Sequence, residues 1–383
     1  MKKIAIIGSG ISGLYIANLL RQNSSYKIML YEKNNSSNIE KGYGIQLSVN
    51  SIKLLNKIGF QNINLEKKYH PNNLDFYSLK NKKKICDLDI SAFNTNDARY
   101  TTLQRFTLIN FLKEQLPDNL IKYNKKVTQI NYEAEAIEVI FENNNSIKCD
   151  YLIISDGAFS KTKSLIAKKE ISLKYFKSIA LRATIEKDQL KDINPKNISL
   201  SLGSNLHSVI YPVNNSNQFN FVSILKKKLS MKELSEHSLF ENKDFISSIL
   251  SEISKQIDSD IVKNLKNIKC FPIFVSSEVY HPANKNTFLI GDAFFTLPPT
   301  FAQGASQSIE VAYEIYKNLE IGINQFNDVR NNRIKMINIK SKFNYFAFHL
   351  SNPILIWIRN ILMSYLVKNK KFINNYLGEI YKD

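Results

Sequence analysis

The chain predicts an α/β fold, α+β overall, in which a parallel-sheet domain is interrupted by an inserted, mainly antiparallel β-sheet domain and closed by a C-terminal helical tail. Three observations carry this reading. Residues 4–7 are an apolar run ending at Gly8-Ser9-Gly10-Ile11-Ser12-Gly13; helical apolar spacing to about Arg21 and a second apolar run at 27–31 follow, ending in Glu32, which makes one βαβ unit. From about residue 172 to 228 short alternating runs replace the helical period, as in antiparallel strands with one buried face. A buried-type strand returns at 287–290 and helical patterns run from 303 onward, so the alternating region is an insertion.

Between these landmarks a helix is expected at 49–58 with Gly59 as its C-cap, and alternating runs at 74–79 and 84–90 form a hairpin around Asn81-Lys82-Lys83. Helical spacing over 103–116 stops before Pro117. Strands are expected at 127–132, 137–141 and 147–154, then at 179–185, 198–202, 207–213 and 219–225, with a helix over 244–257. The first domain then comprises 1–70, 97–167 and 271–345, the insertion 71–96 and 168–270, and the tail 346–383. A length of 383 residues, 44% of them apolar and 11% aromatic, exceeds one ordinary domain and suffices for a sizeable core.

Lys and Arg number 52 against 34 Asp and Glu, a net charge of +18. Only seven of the 52 are Arg, and Lys accompanies Asn in loops along the whole chain, as at Lys82-Lys83-Lys84 and Lys226-Lys227-Lys228. No element gathers Arg and aromatics as a nucleic-acid groove does, so no nucleic-acid partner is expected. Cys86, Cys149 and Cys270 show no CxxC spacing; neither a disulfide framework nor a metal site is expected, and a reducing cytoplasm fits. No run approaches the ~18 apolar residues of a membrane span. Residues 353–367 are nearly all apolar apart from Arg359-Asn360, and Lys368, Lys370 and Lys371 follow. They read either as a helix closing the domains together or as one lying peripherally on the inner face of a membrane.

A Gly-x-Gly-x-x-Gly turn between strand and helix, the Rossmann-like arrangement, suits a pyrophosphate. Gly8, Gly10 and Gly13 allow the tight bend, the close approach of backbone N–H groups and the packing of helix on sheet, and Glu32, 19 residues after Gly13, accepts from a ribose 2′-hydroxyl. A dinucleotide is therefore expected. Its far end falls to Ile290-Gly291-Asp292-Ala293, Pro298-Pro299 and Gln303-Gly304-Ala305: Asp292 holds a ribityl hydroxyl, the prolines form a stiff wall, and the helix opening at Gly304 and Ala305 aims N–H groups at N1 and the C2 carbonyl of a flavin. The two ends together predict FAD. The twelve glycines contain no second such turn, so NADH or NADPH is expected as a transient co-substrate.

With these motifs, residues 3–321 resemble the single-component FAD-dependent aromatic-ring monooxygenases typified by p-hydroxybenzoate hydroxylase, and most of all their salicylate hydroxylase-like branch. The resemblance also rests on Gly42-Tyr43-Gly44-Ile45-Gln46-Leu47-Ser48-Val49-Asn50, on Leu103-Gln104-Arg105 with Leu108 and Leu112, and on Asp156-Gly157 with Ser160. Leu181-Arg182-Ala183-Thr184 and His207-Ser208-Val209-Ile210-Tyr211-Pro212-Val213 match the family's substrate-domain sheet. It implies Arg105 beside the FAD pyrophosphate or ribityl chain, Asp156 at FAD and NAD(P)H, and Val127 among the cofactor contacts. It implies hydroxylation of a small aromatic or conjugated substrate: NAD(P)H reduces the flavin, O₂ adds at C4a, and the hydroperoxide delivers oxygen to an electron-rich ring.

His207 and Tyr211 are candidates for deprotonating a phenol, beside Pro299 in the flavin wall. His207 also reads as a structural histidine and Tyr211 as core. Arg182 reads as a two-pronged contact to a substrate carboxylate or as a salt-bridge residue. Three positions depart from the pattern: Phe295 where most members have His, Lys163 in place of Arg, and Val311 in place of an acid. Two rival readings are a membrane-associated hydroxylase of a prenylated quinone precursor and an FAD-binding protein without oxygenase activity.

Overall fold

Ile4, Ala5, Ile6 and Ile7 are buried, and the strand that carries them, Lys2–Ile7, forms the middle of a five-stranded parallel sheet. The structure, a computed structural model, describes residues 1–35, 43–191, 193–215, 217–320 and 323–381; Gly42 of the Gly42-to-Asn50 segment lies outside the described residues. The strand order is Thr287–Leu289, Tyr151–Ile154, Lys2–Ile7, Tyr26–Tyr31, Ile121–Lys122. Strands on the two sides of Lys2–Ile7 come from distant parts of the chain, so a crevice opens at the carboxyl ends of Lys2–Ile7 and Tyr151–Ile154, where Gly8 and Ser155 follow. The helices Ile11–Leu20 and Gly304–Asn318 pack on each other and share one apolar core with the sheet.

A seven-stranded sheet runs Lys266–Val275, Lys174–Glu186, Gln218–Lys226, Leu206–Pro212, Ile198–Leu202, Asn73–Ser78, Lys84–Asp89. Every pairing in it is antiparallel except Ile198–Leu202 with Asn73–Ser78. The period-2 alternation of strands divides its residues between two faces. Leu181, Ala183, Leu206, Ile210 and Phe221 pack on Ile249 and Ile253 of the helix Lys243–Ser254. His207, Val209 and Tyr211 take the other face, level with Ile224, Val222 and Asn220 of the next strand. A separate three-stranded sheet, Gly44–Leu47, Thr101–Gln104 and Lys68–Tyr69, meets the seven-stranded sheet at Gly44. A Cβ there would come within 2.7 Å of Asn220 Cβ, and its N–H donates to Asn220 Oδ1 at 2.8 Å.

Several elements differ from expectation. The expected strand at 147–154 is two: Ser146–Cys149 belongs to an antiparallel trio with Ile137–Phe141 and Val127–Tyr132, and Tyr151–Ile154 joins the parallel sheet. The division falls at Asp150, whose N–H donates to Lys3 O at 2.8 Å. Leu103 lies in a strand, Thr101–Gln104, paired with Gly44–Leu47, and the helix begins only at Arg105. The edge strand Lys266–Val275 was not expected at all; Pro272, two lysines and an asparagine obscure its alternation, and an edge tolerates all of them. The tail begins at Asn352, whose side chain caps Pro353–Leu366, and ends with Tyr381 edge-on to Phe93 at 5.2 Å.

Candidate active site

At the crevice, the N–H of Gly8 donates to Tyr31 O at 2.8 Å and its φ of +101° bends the chain; a Cβ there would lie 2.6 Å from Ser155 O. Gly13 is held as tightly, with Gly8 O only 2.1 Å from the place a Cβ would take. Gly10 differs: the nearest atom to such a Cβ is Ser155 O at 4.0 Å. The first helix carries no side-chain cap, so N–H groups at its start are available to an anion. Glu32 Oε2 accepts from the N–H and Oγ of Ser9 at 2.9 and 2.8 Å, which brings the carboxylate to the glycine turn. Lys125 N–H donates to Glu32 O at 2.8 Å, and Val127 begins the next strand with its side chain in the core.

Asp156 follows Ser155 at the same crevice. Its Oδ2 accepts from Thr162 N–H at 3.3 Å, whereas Oδ1 is buried with no hydrogen-bond partner among the described residues. Lys163 is also buried; desolvation pulls its amine down and the charge of Asp156 pushes it back up. The two distant motifs meet at Gly291. With φ +61°, it passes so close to the first helix that a Cβ would stand 2.5 Å from Ser12 Oγ, and Ile290 N–H donates to Ile154 O at 2.9 Å.

Asp292 is exposed to an internal cleft yet lies deep in the molecule. Desolvation pushes its carboxyl up to about 6, and Arg105 acts in the opposite direction. Arg105 opens the helix Arg105–Glu114, its N–H donating to Tyr43 O at 3.0 Å. Among the described residues, the helix Gly304–Asn318 has no side-chain cap at its start and no atom lies within 4 Å of a Cβ built at Gly304.

From this point a cavity of about 420 Å³ runs along the open face of the seven-stranded sheet to the tail helices. Asp292, Pro299, Gly304 and Ala305 line one end, and Arg182, His207 and Tyr211 line the sheet wall. The cavity thus collects seven of the residues singled out in the sequence, while Gly8, Gly10, Gly13, Glu32 and Asp156 lie at the crevice and Val127 near it. Phe295 is outside the cavity lining, buried in the core of the first domain, and Val311 is buried there too.

Three side chains behind the sheet-wall residues, His349, Gln46 and Tyr100, are brought there by the fold and by no spacing in the sequence, and Gln46 and Tyr100 also line the cavity. His207 Nδ1 lies 3.2 Å from His349 Nε2, and His349 Nδ1 lies 2.8 Å from Tyr345 O. A carbonyl only accepts, and His349 Nε2 also lies 3.1 Å from Ile224 O, so both ring nitrogens of His349 face acceptors and Nε2 is shared between Ile224 O and His207 Nδ1. Burial holds both imidazoles below the usual range, and the neighbouring His349 lowers His207 further. Tyr211 hydrogen-bonds Gln46, and Tyr100 donates to Gln46 Oε1 at 2.8 Å. Burial raises the Tyr211 phenol, with Arg182 acting against it.

A family model described as an FAD binding domain matches residues 1–325. Among curated relatives, 6-hydroxynicotinate 3-monooxygenase of Pseudomonas fluorescens is 24% identical over 317 residues, covering 80% of each chain. Salicylate hydroxylase of Pseudomonas putida is 21% identical over 345 residues, 81% of this chain and 75% of that one. In three dimensions Klebsiella pneumoniae HpxO, solved with FAD and uric acid, superposes with a TM-score of 0.81 at 16% identity, over 99% of this chain and 96% of that one. The chain belongs to the FAD-binding-domain family and, within it, to the FAD-dependent aromatic-ring monooxygenases.

Proposed function

We propose that the crevice and cavity form one site in which FAD and a phenolic substrate lie end to end, with Arg182, His207 and Tyr211 around the substrate ring. The observation that supports this most is the single cavity joining Asp292, Pro299 and Gly304 to those three side chains. The residues suit the cofactor: Gly10 and Gly304 leave room where any side chain would intrude, two uncapped helix starts present N–H groups, and Asp156 holds an unused carboxylate oxygen. Gly8, Gly10 and Gly13 would take the pyrophosphate, Glu32 the adenosine ribose, Arg105 and Asp292 the ribityl chain, and Gly304 and Ala305 the flavin ring; Val127 would border the adenosine. When bound, FAD accepts a hydride from NAD(P)H and activates O₂ for transfer of one oxygen atom to the substrate.

The chain's own part is to bind, orient and deprotonate. His207 takes the phenol proton at Nε2, the ring nitrogen that does not face His349. Burial keeps His207 neutral at neutral pH, with a ring lone pair to offer. Tyr211, oriented by Gln46, donates to the substrate oxygen, and Arg182 pairs with an acidic substituent. The apolar lining, Leu74, Phe76, Leu200 and Val222 among it, excludes water from the ring.

The test is to purify the protein, record its flavin spectrum, and follow NADH and NADPH oxidation and product formation with phenols and aromatic acids. Hydroxylated product that disappears with His207→Gln while the flavin remains supports the reading; NAD(P)H oxidation yielding only peroxide with every ring compound refutes it. A second part of the proposal is a peripheral membrane contact through the C-terminal helix, favoured by the apolar face it turns to solvent.

A further inference from the structure

The helix Pro353–Leu366 turns its apolar side outward. Ile354, Trp357, Ile358, Ile361, Leu362 and Tyr365 recur at helical spacing and are all exposed, Ile354 at 68%, Trp357 at 65% and Tyr365 at 73%. The preceding helix, Ile323–Phe348, adds exposed Phe343 and Phe346. Monomeric proteins rarely leave so many large side chains in one exposed patch. The inner side of the same helix is part of the cavity wall, through Met363 and Leu366, with Val367 just beyond its end. Phe343 is both 61% exposed and a cavity-lining residue, so the cavity reaches the surface at this apolar face.

Charge identifies the occupant. Between Asp328 and Glu379 there is no acidic residue and there are nine Lys and Arg, of which Lys335, Lys342, Lys368, Lys370 and Lys371 are exposed. An anionic lipid surface matches that balance, whereas a second copy of this chain would oppose one cationic tail with another. No helix among the described residues is long and apolar enough to cross a membrane, and one lying flat needs only an apolar face with Trp and Tyr among its lipid-facing residues and Lys at its end.

We propose that this face seats on an anionic membrane surface and that the cavity takes from the lipid a phenol carrying a long apolar tail. The ring would rest at Arg182, His207 and Tyr211, and the tail would lie along Met363, Leu366, Ile373 and Leu377 toward Phe343. Asn344 is the one amide at that end, and its Oδ1 is already occupied by Tyr376 O–H at 2.6 Å. The substrate half of this inference rests on the proposed hydroxylase reading; the membrane half does not.

The experiment separates the two. The full-length flavoprotein is sedimented with vesicles of phosphatidylcholine alone or with 30% phosphatidylglycerol, as wild type and as Trp357→Glu/Ile361→Glu, two residues outside the cavity lining. The expected result is binding to the anionic vesicles, at least tenfold weaker in the variant and in 0.5 M salt, with flavin content and melting temperature unchanged. Hydroxylation of a long-chain alkylphenol in those vesicles should fall at least tenfold in the variant while that of a short soluble phenol stays the same. Failure of wild type to bind anionic vesicles, or a dimer that the variant dissociates without any vesicle binding, overturns the membrane half. Vesicle binding with turnover of the short phenol and none of the tailed one overturns the substrate half; vesicle binding with no turnover of any phenol leaves the membrane half standing and refutes the hydroxylase reading.

Discussion

Gly10 and Gly13 lie three residues apart in one turn, yet replacing each by alanine should have opposite consequences. At Gly13 the new Cβ would stand 2.1 Å from Gly8 O and 2.5 Å from Ser155 Oγ, more than 1 Å inside normal contact with the backbone of the sheet. Relieving that overlap means lifting the first helix from the sheet, a strain of about 3 kcal/mol. Unfolding 383 residues at roughly 2.1 cal/mol/K each carries about 0.8 kcal/mol/K, so the FAD-free protein should melt about 4 °C lower. At Gly10 the backbone, φ −76° and ψ −176°, is one any residue adopts, and nothing is nearer than 4.0 Å. Gly10→Ala should therefore melt like wild type without FAD. Its methyl group would enter the space assigned to the pyrophosphate and weaken FAD by about 1–3 kcal/mol, or roughly 5- to 150-fold. Melting curves of the FAD-free forms and flavin-fluorescence titrations measure both effects. Full FAD affinity in Gly10→Ala would refute the placement of the pyrophosphate.

Three further outcomes follow from the cavity. His207 and His349 have folded pKa values below the usual ~6.5 of histidine, so the unfolded chain binds more protons once pH falls below that value; their contribution is fully present above ~6.5 and is lost on acidification, and His349→Gln should flatten the decline in melting temperature between pH 7 and 5. The same variant removes the charge that lowers His207, so the acid limb of kcat/KM should move to higher pH, whereas His207→Gln should cost ~10²–10³-fold in kcat; an unmoved limb would show that His349 has only a structural part. Asp292, raised to about 6, is favoured in its protonated form, so its penalty appears as pH rises through 4 to 6; Asp292→Asn should melt higher than wild type at pH 7, equal it below about pH 4, and bind FAD less tightly by calorimetry. Arg182→Lys should raise KM for aromatic acids by ~10–30-fold and leave phenols without a carboxylate unchanged, since lysine offers no two-pronged contact; equal losses for both would remove Arg182 from acid recognition.

The cofactor half was legible because its chemistry demands particular backbones. A glycine at Gly8 or Gly13 is dictated by contacts under 3 Å with a neighbouring strand, and such constraints leave a fixed spacing in the sequence. The substrate half was legible only as a set of side chains on one strand, His207 and Tyr211 at i and i+4, since period 2 puts them on one face. Their partners were not. His349 is 142 residues from His207 and meets it only because the long helix ends against the sheet, and Gln46 reaches Tyr211 only because Gly44 lets two sheets touch. Short runs failed for a local reason: Leu103 has the same apolar neighbours in a four-residue strand as in a helix, and its pairing with Ile45 decides between them.

The three walls of the cavity are constrained in different ways, and this decides which of them sets the substrate. The cofactor wall is locked by the contact of Gly291 with Ser12, where even a methyl group has no room. The sheet wall is fixed by register, because a one-residue slip would turn His207 and Tyr211 into the opposite core. The tail wall is held by bonds of its own: the Asn352 cap, Arg359 donating to Ala347 O at 3.1 Å, Ser364 donating to Ile85 O at 3.4 Å, Arg333 donating to the carbonyls of Glu379 and Ile380, Lys340 donating to the carbonyls of Asn375 and Tyr376 and to the Glu379 carboxylate, and Tyr376 donating to Asn344 Oδ1. None of those bonds involves a residue assigned to FAD. Substitutions at Met363, Leu366 or Ile373 therefore change the shape of the cavity without disturbing the cofactor, and the length of the substrate that fits is a property of the tail.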